Sequence, residues 1–206
     1  LSIRRQRQMC IRDRYNAVNP IFEHIGDKVL NAEKYLFAVS SIKENKNFGI
    51  AVNAFKIVQK QIPDLKLYIM GDMNADSFRN MGHLIDECKK DVNIKLLGRV
   101  SDSDLIRYYS NAIAFIFPSL YEGFGIPVLE AQACGCPVVS SNSSSLPEIL
   151  GNSALMCNPN SSEEFAGAII KLVNHQSIKE ELVGKGYENV KRFSWEKSAE
   201  DLLKYL

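Results

Sequence analysis

Residues 121–130 read Tyr-Glu-Gly-Phe-Gly-Ile-Pro-Val-Leu-Glu (YEGFGIPVLE), directly after an apolar run from Ala112 to Phe117 (AIAFIF) that stops at Pro118. A short β-prone run, a glycine pair and then a proline opening an apolar segment read as strand, elbow and helix. Proline suits the first helical positions, where its missing N–H is not needed. Such a loop, at a strand's carboxyl end and a helix's amino end, offers free backbone N–H groups that favour anions such as phosphate. Gly123 and Gly125 would let the backbone approach a ligand closely. Two carboxylates, Glu122 and Glu130, bracket the elbow. On a helix expected over 127–134, Glu130 falls in the first turn, on the side of Ile126 and Cys134. Taken singly, one acid reads as a helix-dipole complement and the other as a solvated loop residue. Taken with the glycines and the surrounding topology, they read as a binding site.

That topology is visible on both sides of the elbow. Strand candidates are YLFAVS (35–40), KLYIMG (66–71), IKLLG (94–98), AFIFP (114–118), PVVSS (137–141) and SALMC (153–157). Between the first two, Phe48, Ala51, Val52, Phe55, Val58 and Ile62 recur at helical spacing, with Asn47 as N-cap and Pro63 as stop. Further helices are expected at 78–90, 102–110 and 163–174, with two more near the end. Alternating strands and helices imply an α/β fold with a doubly wound parallel sheet, in which ligands sit at the carboxyl ends of the strands.

Composition narrows the function. The chain of 206 residues is 46% hydrophobic and 24% charged, with formal net charge +1. That balance favours neither nucleic acid nor an anionic membrane as partner. No apolar run approaches the roughly 20 residues that a membrane-spanning helix needs. Five cysteines, Cys10, Cys88, Cys134, Cys136 and Cys157, form no C-x-x-C pair. They read as free thiols of a reducing, cytoplasmic setting, with Cys134 and Cys136 as core residues. The arginine-rich opening LSIRRQRQMCIRDR (1–14) has no periodicity and resembles the translation of a sequencing-library transposon end. Residues 1–14 are therefore expected to be a non-native scar, with native sequence from about Tyr15. A basic anion-binding arm is the rival reading.

The stretch SLYEGFGIPVLEAQACGCPVVSSNSSSLPEI resembles the E-x7-E signature region of retaining GT-B glycosyltransferases, specifically family four. YLFAVSSIKENKNFGIAVNAF resembles that family's opening strand and phosphate-binding turn. LLGRVSDSDLIRYYSNA resembles its G-x-V segment, YNAVNPIF its lead-in to the donor domain and FSWEKSAEDLLKYL its closing helix. The resemblance spans residues 15–206 in order. It implies the Rossmann-like donor-binding half of a GT-B enzyme, expected to lack its N-terminal acceptor domain and to transfer little alone. It implies an NDP-sugar donor, a glycan or lipid-linked acceptor, retention at the anomeric carbon, and no cofactor or catalytic metal. In the full-length protein it implies a cytoplasmic location, peripheral at the inner face of the membrane.

Residue by residue, the resemblance implies that Glu130 holds the ribose hydroxyls and that Glu122 faces the donor sugar. The N–H groups of Phe124 and Gly125 would reach the sugar beside Gly123, and that of Ile126 the distal phosphate. Lys46 would neutralise the diphosphate, and Val100 beside Arg99 would border the base. Lys46 also stands out unaided, because a cation ahead of a helix N-terminus opposes the dipole unless an anion is near. The chain departs from the pattern at Ser41, where many members carry arginine, at Ser40 for glycine, and at Asn45-Lys46 for Arg-Lys.

Asp102-Ser103-Asp104 is a D-x-D, but with Ser101 as N-cap both acids belong to a helix's first turn. The scattered histidines, His24, His83 and His175, form no H-x-x-x-H. A nicotinamide-dependent dehydrogenase would need G-x-G-x-x-G after the first strand, and VSSIKENKNF has none. A non-catalytic nucleotide-binding module and an epimerase of the same fold remain as alternatives.

Overall fold

The computed structural model describes residues 15–23, 33–39, 44–71 and 82–203. Residues 1–14, Ser40, Ser41 and His24 lie outside them, as does the part of the expected 78–90 helix before Gly82. The elements run β1 (Tyr35–Val39), α1 (Phe48–Gln59), β2 (Lys66–Met70), α2 (Gly82–Lys90), β3 (Ile94–Gly98), α3 (Asp102–Asn111) and β4 (Ala114–Phe117). They continue through α4 (Ile126–Ala133), β5 (Val138–Ser141), α5 (Leu146–Leu150), β6 (Leu155–Cys157), α6 (Ser162–Asn174), α7 (Gln176–Val190) and α8 (Trp195–Leu203). Among the described residues these strands form one parallel sheet in the order β3-β2-β1-β4-β5-β6. The α/β, doubly wound expectation holds, and every expected strand forms.

The strands read as unbroken apolar runs because both faces of the sheet are covered. Side chains alternate between two cores. Phe37, Phe115, Phe117 and Val138 face the layer of α3, α4 and α5. Leu36, Leu67, Ile69, Ala114, Ile116 and Val139 face α1 and α6. Register follows, with Leu36 opposite Ala114 and Phe37 opposite Phe115. A one-residue slip would exchange the two faces. Cys88, Cys134, Cys136 and Cys157 are buried, free thiols. Burial pushes the Cys134 thiol up to about 12, so it behaves as an apolar packing residue and not as a nucleophile. Among the described residues no helix is long and apolar enough to cross a membrane.

The winding direction reverses between β1 and β4: β2 and β3 build outward from one side, β5 and β6 from the other. The carboxyl ends of β1 and β4 are where such a sheet leaves a crevice. Two loops open there, the 3-10 turn Glu44–Lys46 before α1 and residues 118–125 before α4.

Candidate active site

The two loops are tied to each other. The Leu120 N–H donates to the Asn45 carbonyl at 2.8 Å, and Asn45 Nδ2 donates to the Tyr121 carbonyl at 3.1 Å. That register brings Lys46 to Glu122, Nζ to Oε1 at 2.6 Å, across 76 positions of sequence. The same ammonium lies 5.5 Å from the centre of the Phe117 ring, at the end of β4. Glu122 is thus the anion that Lys46 called for beside a helix start.

Asn47 departs from expectation. It stands at the N-cap position of α1 in the left-handed conformation (φ 52°), yet caps nothing with its side chain. Its Nδ2 instead donates to the Pro159 carbonyl at 2.6 Å, fastening α1 to the loop before α6. Asparagine tolerates this backbone better than most residues.

At the elbow, Gly125 takes φ 98° and stands at the N-cap of α4. A Cβ there would lie 2.9 Å from Leu146 Cδ2, a terminal methyl that can shift, so the backbone conformation more than the space requires glycine. Gly123 is exposed, and Phe124 is half-buried against Phe193, their ring centres 5.6 Å apart. The sequence expectation for Glu130 needs correction. The helix starts at Ile126, one residue early, and its first turn holds no acid. At 3.6 residues per turn, the fifth residue is already in the second. A dipole complement is therefore a poor account of this carboxylate.

Glu130 instead faces α3. Tyr109 donates its hydroxyl to Glu130 Oε2 at 3.3 Å. Burial raises the Glu130 pKa, the Tyr109 bond opposes that, and the charge of Asp102 adds to it. Asp102 is two residues beyond Val100, so Glu130 feels the charge at the start of α3, on the side of the loop after β3. That loop holds exposed Arg99 and half-buried Val100. β3 is three strands from β4, roughly 14 Å at the usual strand spacing. Asp102 and Asp104 themselves start α3, where Ser101 Oγ accepts the Asp104 N–H at 3.2 Å, as the sequence reading had it.

Lys46, Glu122, Gly123, Phe124, Gly125 and Ile126 are brought together, with Glu130 and then Arg99 and Val100 reaching away toward β3. Ser41 lies outside the described residues. Three features escaped the sequence reading: the Asn45 tie, the Tyr109 hydroxyl and the serines after β5. The last shows in the sequence only as the serine-rich run SSNSSSLPE, whose Ser145-Leu-Pro-Glu148 has capping-box spacing and so points to a helix start and not to the elbow.

Ser119 is buried, and its hydroxyl is the single buried side-chain polar atom without a hydrogen-bond partner among the described residues. Burying an unpaired hydroxyl costs about 1–3 kcal/mol. Ser119→Ala is therefore expected to leave the melting temperature unchanged or raise it by a few degrees. A clear drop in a thermal melt would show that the hydroxyl has a partner in solution.

The arrangement can hold a ligand that is anionic in the middle and hydroxylated on both sides. The family model of the group 1 glycosyl transferases matches residues 23–193. The O-antigen chain mannosyltransferase B of Escherichia coli is 32% identical over 162 residues, 79% of this chain and 42% of that protein. The crystal structure of TarM superposes with TM-score 0.79 at 20% identity, over 98% of this chain and 41% of that one. The C-terminal domain of the group 1 glycosyl transferase LpcC from Francisella tularensis superposes at 0.68 and 22% identity. There the match takes in 86% of this chain and 94% of that domain. The chain spans about two fifths of the mannosyltransferase it matches. With a sheet, a switch-point crevice and a family match that agree, the chain belongs to the group 1 glycosyl transferases and has the Rossmann-like fold of a GT-B half.

Proposed function

We propose that this chain is the donor-binding half of a retaining glycosyltransferase, holding a nucleoside-diphosphate sugar for transfer to a glycan or lipid-linked acceptor. The observation that carries the reading is the meeting of Lys46 and Glu122 over the crevice, beside the N-terminus of α4. A cation and a carboxylate side by side at a helix start suit a ligand with a diphosphate next to a polyol.

In this reading Glu130 accepts the ribose hydroxyls, and Arg99 and Val100 flank the base. Lys46 and the N–H of Ile126 meet the diphosphate. Glu122 accepts from the sugar's hydroxyls beside the N–H of Phe124, with the N–H of Gly125 where the sugar joins the distal phosphate. As the anomeric bond breaks, charge develops on the leaving phosphate, and fixed donors already aimed at it stabilise the transition state without reorganising. The leaving phosphate then takes the acceptor's proton as the acceptor oxygen bonds to the anomeric carbon on the face that the phosphate vacates, which gives retention. No metal enters. The acceptor site lies in a second domain that completes the crevice. A polysaccharide or lipid-linked glycan is the acceptor class proposed, in line with the relative named for O-antigen synthesis.

Donor binding also requires Lys46 to exchange partners, from the Glu122 carboxylate to the diphosphate. The test follows from that exchange. Glu122→Gln frees the ammonium, so affinity for GDP and UDP is expected to hold or rise. The extra affinity contributed by the hexose of GDP-mannose or UDP-glucose is expected to fall, by roughly tenfold for a lost charged hydrogen bond. Calorimetry with the four ligands reads both. Equal losses for diphosphate and nucleotide-sugar would sink the division of roles.

A further inference from the structure

The elbow is braced from its other side by the end of β5 and the chain that follows it. Ser140 Oγ donates to the Phe117 carbonyl at 3.2 Å and Ser143 Oγ to that of Leu120 at 2.7 Å. Ser141 donates to the Ser119 carbonyl. Ser144 donates to the Glu122 carbonyl at 2.8 Å. Ser145 Oγ reaches two carbonyls, Glu122 at 3.1 Å and Phe124 at 3.3 Å. Four of these hydroxyls thus grip the carbonyls of the loop 118–125, and that of Ser140 holds the last residue of β4 ahead of it.

Two of these serines depart from their local preference to do so. Ser145 stands at the N-cap of α5, a position its hydroxyl normally serves, yet it makes no cap bond. Ser144 takes φ 56°, sparsely populated for a residue with a Cβ. Local structure explains neither, whereas the elbow's carbonyls explain both.

A trans peptide is planar, so the carbonyl of one residue and the N–H of the next point in opposite directions. Holding the Glu122 carbonyl toward the serines turns the Gly123 N–H away from them. Holding the Phe124 carbonyl there does the same to the Gly125 N–H. β4 lies between β5 and β1, so away from the serines is toward the side of the crevice that Lys46 occupies. Glycines at 123 and 125 would otherwise be free to flip these peptides.

We propose that Ser144 and Ser145 are positioning residues that lock the peptides 122–123 and 124–125, so that their N–H groups face the diphosphate end of the donor. This rests on the donor-binding reading above. The serines touch no ligand and act through the backbone. What they contribute is preorganisation, since N–H groups held in place need not be ordered when the anion arrives.

The test uses the chain with inorganic pyrophosphate, GDP, UDP and the matching nucleosides. In amide NMR spectra of the parent chain, the Gly123 and Gly125 resonances should shift on titration with the diphosphate that binds. Ser145→Ala should weaken pyrophosphate and the nucleoside diphosphate by roughly fivefold, the size of one neutral hydrogen bond. Nucleoside affinity should not move, and Ser145→Thr, which keeps the hydroxyl, should restore the loss. Binding of the diphosphate with both glycine amides unmoved overturns the proposal whatever the variants do. So does a Ser145→Ala chain that binds pyrophosphate as the parent does, or one that loses all ligands equally; the first of these leaves the donor-binding reading intact. A parent chain that binds none of the diphosphates overturns both.

Discussion

Lys46→Ala is expected to lower affinity for GDP and UDP by tenfold to a hundredfold while leaving the nucleosides unchanged. A charge-assisted contact to phosphate contributes about 1.5–3 kcal/mol, and the variant loses more than that contact. The Glu122 side chain is only 10% exposed and its paired Lys46 20%, so the substitution strands a carboxylate beside the incoming phosphates. Stability should fall too, by about 1–2 kcal/mol, less than the ~3–5 for breaking a fully buried pair. Adding Glu122→Gln removes the stranded charge. The double variant should therefore be more stable than Lys46→Ala alone and bind GDP or UDP more tightly than it. The cycle measures the coupling directly. Additive effects on affinity would mean that diphosphate and Glu122 do not share the ammonium. Equal loss of nucleoside binding would mean that Lys46 supports the fold rather than the phosphate.

Glu130→Gln is expected to weaken nucleotide binding by tenfold or more, yet to make the chain more stable at pH 7. Burial raises the pKa of this carboxylate above the ordinary value of 4.5. Above that value the unfolded chain gives up a proton that the folded chain still holds. Folding stability therefore declines as pH rises from about 4.5 to the folded pKa, and stays at the lower level beyond it. Glutamine carries no charge to bury and can still accept from the Tyr109 hydroxyl. Its stabilising effect should be largest at neutral pH and vanish below pH 4, where the parent's carboxyl is protonated in both states. Thermal melts across that range check the stability. Titrations with GDP and UDP check the affinity, which in the parent should itself fall on acidification at a higher pH than an ordinary carboxylate would dictate. A variant less stable than the parent at pH 7 would make Glu130 a structural residue. Unchanged nucleotide affinity would remove it from the ribose.

Much of this was legible in the chain. Strands buried on both faces read as short apolar runs, and β4 with its glycine elbow announced the loop and the helix after it. Ser101 and the acids of α3 were readable because an N-cap is a contact between residues three apart. The errors were also local. Placing the start of α4 at Pro127 moved Glu130 into a turn it does not occupy. The N-cap reading of Asn47 assumed a side chain free to fold back, when a carbonyl 112 residues away holds it. The short α5 was missed because a five-residue helix shows no periodicity.

By itself, then, the sequence determined the order of strands and helices, the doubly wound class and the elbow between two glutamates, because period-two and period-3.6 patterns are local consequences of burial. Only the tertiary structure decided which loops meet. The adjacency of β1 and β4 is a matter of long-range packing that sets Lys46 on Glu122, and α3 against α4 that sets Tyr109 on Glu130. The serines carry no periodicity at all. Their role exists only because parallel pairing of β4 with β5 lays the chain after one strand alongside the carbonyls after the other.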